Sequence, residues 1–153
     1  SAWVRGSIGW ALARNLTVPT LVVPNHGRGF VDERTGALTL GRVVLIVDGR
    51  TQAADQAAGL AAIAALGAGA AAATTIVVAG AATVAAMPGA TVVATTAHEV
   101  DATLRRVLGE AAPALVVLPH RLHAGHAPLL GSRAESVLHH AGCPVLVVPI
   151  IDG

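Results

Sequence analysis

Aromatic side chains are nearly missing from this chain, which has two Trp, one Phe and no Tyr. A core built without rings must come from Val, Leu, Ile and a great deal of Ala. No set of rings is present on which nucleic-acid bases could stack. Charge is scarce too, at 12% of residues, and it nearly cancels to a formal +1. A nucleic-acid partner calls for a concentrated basic face, so that class of function is set aside. The single cysteine, Cys143, precludes an internal disulfide and fits a reducing, cytoplasmic setting. It reads as a small buried residue at the start of a strand. The first residues carry no charged n-region, apolar h-region and cleavage site, so no signal peptide is expected.

Asp, Glu, Lys and Arg are all absent between Asp55 and Glu99. A membrane-spanning helix needs about 20 predominantly apolar residues. This stretch is mostly Ala, Gly and Thr, broken by Gly67, Gly69, Gly80, Pro88 and Gly89. Its composition turns from helix-like to strand-like near Thr74. It reads as a buried helix, a strand and a loop, and no membrane partner is expected. A length of 153 residues suits one domain with a real core.

What is present is a series of short apolar runs with helical stretches between them. Val43 to Val47 within Arg42–Asp48 is a continuous apolar strand, the pattern of a strand buried on both faces of a parallel sheet. Residues 52–66 are helical, with Leu60, Ile63 and Leu66 among alanines. Thr74–Val78 and Thr91–Thr95 are further strands, joined by a short connection with Pro88-Gly89 as its turn. Glu99–Leu108 is amphipathic, with Val100, Leu104, Val107 and Leu108 on one face. Then come a strand over Ala114–Leu118, a polar loop, a short helix opened by Gly131-Ser132 and stopped by Gly142-Cys143-Pro144, and a strand over Val145–Val148. Strand, loop, helix and strand in that order make a βαβ unit with a parallel pair.

The start of the chain repeats this last unit. Gly6-Ser7, Pro19, Leu21-Val22-Val23 and Pro24 correspond to Gly131-Ser132, Pro144, Leu146-Val147-Val148 and Pro149 at a constant offset of 125 (6 to 131, 24 to 149). Repeats are informative before anything else. A helix plus one strand cannot bury its own apolar face. Residues 1–24 are therefore expected to dock on the domain that follows or on another chain, with strand 20–23 beside strand 145–148. Residues 25–39, rich in turn formers and charge, read as a linker, and 40–153 as the complete domain.

The segments Leu129-Leu130-Gly131-Ser132 and Cys143-Pro144-Val145-Leu146-Val147-Val148, with Val47-Asp48-Gly49 at the end of the first domain strand, resemble the universal stress protein family. The resemblance covers about 40–150, with 6–24 as a fragment of a preceding repeat. It implies an α/β fold: an open parallel five-stranded sheet in the order 3-2-1-4-5, with helices on both faces. This is the adenine-nucleotide alpha-hydrolase-like architecture, here with an extra N-terminal helix–strand unit. It further implies a cytoplasmic, dimeric stress-response module, and a nucleotide site made by Val47, Asp48, Val78, His120, Gly131 and Ser132. The implied ligand is ATP, with Mg possible beside it.

Two departures bear on that site. The nucleotide-binding members carry Gly-x2-Gly-x9-Gly-Ser/Thr, and the first two glycines fall on Leu118 and Arg121 here. Side chains at those positions are expected to fill part of the cleft. Two readings of function follow: a regulatory module that holds an adenine nucleotide weakly, or a degenerate, ligand-free module acting through dimerisation or partner docking. Asp48 itself reads equally as a site residue beside adenosine or as a turn and helix-capping residue. Gly131-Ser132 reads as an anion site at a helix N-terminus or as plain capping.

Enzymatic chemistry has thin support. No paired carboxylates, nucleophile elbow or Walker loop is present. Ser132 and His120 lack a third partner, and at most slow ATP hydrolysis is expected. His120, His123 and His126 lie three apart, but no carboxylate or cysteine completes a ligand set, so no metal site is expected.

Overall fold

The computed structural model describes residues 17–24, 30–37, 40–66, 73–81, 87–122, 137 and 140–151. In chain order its elements are β1 (Thr20–Val22), β2 (Arg42–Asp48), α1 (Gln52–Ala65), β3 (Ala73–Ala79), β4 (Ala90–Thr95), α2 (Val100–Ala111), β5 (Leu115–Leu122) and β6 (Val145–Ile151). This is an α/β arrangement with a mixed sheet of six strands in the order β1-β6-β5-β2-β3-β4. The pairs from β4 through to β6 are parallel. β1 lies antiparallel against β6, the pairing expected for residues 20–23, and makes the sheet mixed where a wholly parallel one was expected for the domain alone.

Strand side chains alternate between faces, and the core divides accordingly. Val44 and Ile46 of β2 pack in one cluster with Val100, Leu104, Val107 and Leu108 of α2. Val43, Leu45 and Val47 pack in a second cluster with Ile63 and other apolar residues of α1. Phe30, the one phenylalanine, is buried in that second cluster. α1 sits close on β2 at Gly59, where a Cβ would run into the Leu45 methyls. Cys143 is buried in the first cluster, as a small residue before a strand should be.

β5 and β6 run well past the ends that the sequence predicts. The loop expected after Leu118 begins later, because Leu118 to Leu122 stay in register with Val147 to Ile151. Pro119 does not interrupt this ladder. The Val116 N–H donates to the Pro144 carbonyl at 3.1 Å. Alternation then points the backbone nitrogen of residue 119 away from β6, where a proline costs no ladder bond. The connection between β3 and β4 falls partly outside the described residues.

Candidate functional site

In an open α/β sheet, ligands bind beyond the carboxyl ends of the strands, where neighbouring connections diverge. Here that point lies between β2 and β5. The two strands pair only from Val43 opposite Leu115 to Leu45 opposite Val117, although β2 runs on to Asp48 and β5 to Leu122. Beyond Leu45 and Val117 they part, which leaves a crevice at the strand ends.

Four charged side chains gather there. Asp48 ends β2, and its Oδ1 accepts a hydrogen bond from the Arg50 backbone N–H at 2.8 Å. The Arg50 guanidinium folds back onto the same carboxylate, with Nη2 to Oδ2 at 2.7 Å and Nε to Oδ1 at 3.1 Å. Burial raises the carboxyl's pKa, but the Arg50 hydrogen bonds and the charges of Arg50 and Arg121 outweigh it, and Asp48 is held below its ordinary value. Between these residues Gly49 is fixed by backbone contact. Its N–H donates to the Ala79 carbonyl at 2.8 Å, and a Cβ would come within 2.9 Å of the Ala81 Cβ.

The second pair is the deeper one. Asp55 lies in the first turn of α1, where the helix dipole favours a carboxylate. Its Oδ2 accepts from the Asp48 backbone N–H at 3.2 Å. Its Oδ1 takes a hydrogen bond from Arg121 Nη2 at 2.7 Å. The Asp55 side chain is 5% exposed and that of Arg121 18%. Arg121 stands on β5 and Asp55 on the helix that follows β2, so the ion pair spans the crevice from one wall to the other. Arg121 thus does more than add bulk at the strand ends, because it supplies a partner for a buried acid.

The other expected site residues are dispersed. Val47 and Val78 are register partners across β2 and β3, and both side chains are fully buried in the core cluster on the α1 side. His120 stands half-buried on β5, opposite Pro149 of β6. Leu118 corrects the sequence reading. It was expected to fill the cleft, but at its place on β5 it is 1% exposed and belongs to the core cluster on the α2 side. Gly131 and Ser132, the phosphate-holding pair implied by the resemblance, lie outside the described residues, as do His123 and His126. Among the described residues no group of three or more His, Cys, Asp or Glu is placed to hold a metal. No described helix is long and apolar enough to cross a membrane.

Asp55 is the member of this charged cluster that the sequence reading does not pick out. The signal was there: Asp55, Gly59 and Ile63 recur every four residues and form the buried stripe of α1. A lone carboxylate on that stripe requires a buried cationic partner. Compared with known proteins, the chain matches no family model and no curated sequence.

Proposed function

We propose that this chain is a non-catalytic regulatory module of the universal-stress-protein type, acting through dimerisation or partner docking and not through tight nucleotide binding. The observation that carries this is the Asp55–Arg121 ion pair across the crevice between β2 and β5. A ligand entering there would have to draw the partly buried Arg121 away from buried Asp55, and leaving a buried charge without its partner costs about 3–5 kcal/mol. Arg50 is likewise engaged by Asp48, so neither arginine offers phosphate an uncommitted charge. The strand order β4-β3-β2-β5-β6 suits the doubly wound, adenine-nucleotide alpha-hydrolase-like architecture that the resemblance implies, and the cytoplasm is the compartment proposed.

A second reading is favoured by Asp48, which stands at the end of β2, where the resemblance puts a residue beside adenosine. In that reading the chain holds ATP weakly, with Mg, through Val47, Asp48, Val78, His120, Gly131 and Ser132. Calorimetric titration of the chain with ATP, with and without magnesium, separates the two. The closed-site reading expects no heat and no thermal shift at millimolar nucleotide. Micromolar binding would overturn it and establish the second.

A further inference from the structure

The chain carries two sulfur atoms, one in Cys143 and one in Met87. Cys143 is 1% exposed inside the cluster on the α2 side. Met87 is only partly buried, so a small oxidant in water meets its sulfur first. Its place in the fold gives that reaction a consequence. α1 packs over β2, β5 and β6, which leaves β3 and β4 beyond the helix on that side of the sheet. Among the described residues, cover there comes from the connection into β4, where Ala81 and Met87 pack against the cluster on the α1 side. Ile76 and Val78 of β3 belong to that cluster and are fully buried.

Two contacts seat Met87. Its carbonyl accepts a hydrogen bond from the Ala90 N–H at 3.2 Å. With Pro88 at the second position and Gly89 at φ 79° at the third, Met87 to Ala90 form a type II turn that leads into β4. The side chain is held from the other direction, because Gln56 Nε2 of α1 donates to Met87 Sδ. Gln56 and Leu60 lie one turn apart on that flank of the helix, and Leu60 packs against the same cluster. A thioether is a weak acceptor. The Gln56 amide is therefore aimed at an atom that oxidation would turn into the bearer of a much stronger one.

We propose that Met87 is an oxidisable latch between α1 and the start of β4, with a peroxide as its substrate and Gln56 as the group that binds the product. The sulfur lone pair takes one oxygen of the peroxide as the O–O bond breaks. The proton on that oxygen passes to the leaving hydroxide, so thioether and hydrogen peroxide become sulfoxide and water. The sulfur is oxidised by two electrons and the peroxide reduced by two. The new oxygen accepts from Gln56 and lies between the amide and the sulfur. Met87 must then draw back from α1, and the turn that carries β4 moves with it. Sulfoxide reduction restores the seat.

The test exposes the full chain, in a Cys143→Ala background, to hydrogen peroxide and follows intact mass. The folded chain should gain one oxygen nearly as fast as the urea-unfolded chain does. Met87→Leu, which conserves volume, should gain none and keep its fold. After oxidation, hydrogen exchange should show protection lost over Ala90–Thr95 and kept in β5 and β6, and the thermal midpoint should fall by several degrees. Methionine sulfoxide reductases should reverse both changes. Gln56→Leu leaves the sulfoxide without a donor in an apolar seat, so oxidation should lower its midpoint further than it lowers that of the unchanged chain. A folded chain that resists peroxide, oxidation without effect on exchange or midpoint, changes that survive reduction, or equal drops with and without Gln56 would each overturn the proposal. None of these readouts depends on the crevice between β2 and β5, so the titration with ATP is judged separately.

Discussion

At the centre of the sheet, β2 and β5 part after Leu45 and Val117, and two side chains from opposite walls fill the gap. At the edge, three residues of β1 cover part of β6. Both fillings come from the chain itself, but they rest on different physics. Asp55 is withdrawn from water and Arg121 partly so, and the buried acid cannot lose its partner cheaply. β1 depends on a few ladder bonds and one apolar side chain, each of modest net worth. The difference teaches that the centre is closed as part of folding, whereas the edge is closed by a local equilibrium that small changes can shift.

Substitutions can break this comparison, and the largest effect is expected at the centre. Arg121→Ala leaves Asp55 buried without its cation and should cost about 3 kcal/mol in denaturant unfolding. A loss below about 0.5 kcal/mol would place the ion pair at no more than surface value. At the edge, Val22→Asp should cost about 2 kcal/mol by setting a polar group against the apolar cluster. Hydrogen exchange sharpens the point: protection should vanish in β1 while β2 and β3 keep theirs. Gly59→Ala should cost about 1 kcal/mol. Overpacking against Leu45 outweighs the gain in helix propensity, and thermal unfolding reads the sign.

The smallest effect is in acid. Asp48 titrates below its ordinary value in the folded chain, so its contribution to stability is present above the unfolded carboxyl pKa, about 4. That contribution is lost as pH falls through the lower folded value. Arg50→Ala removes the hydrogen bonds and much of the charge that hold Asp48 down. Unfolding followed from pH 5 to pH 2 should then show a shallower loss of stability than the unchanged chain. An unchanged slope would mean that Arg50 does not govern Asp48.

Much of the fold was legible because β-branched runs and helical periodicity are local signals. Val43 to Val47 and Thr74 to Val78 form strands where their composition says they should. β5 was cut short in the sequence because Pro119, His120 and Arg121 look like loop residues. They remain in the sheet because β6 continues beside them, a tertiary fact with no local signature. The site was legible in outline only. Arg121 stands out in the sequence, but its partner Asp55 lies 66 residues away and only the stripe of α1 hints at it. Leu118 was read as a blocker because its chain position is near the cleft, yet strand alternation buries it in the core.

The most direct test of the closed crevice is a double-mutant cycle on Asp55→Asn and Arg121→Gln, read by denaturant unfolding. The account predicts a coupling of about 2 kcal/mol or more, with the double variant more stable than the sum of the single losses allows. Additivity within about 0.5 kcal/mol would contradict it, because the two side chains would then not bridge β5 and α1 in solution and the strand-end crevice would stand open.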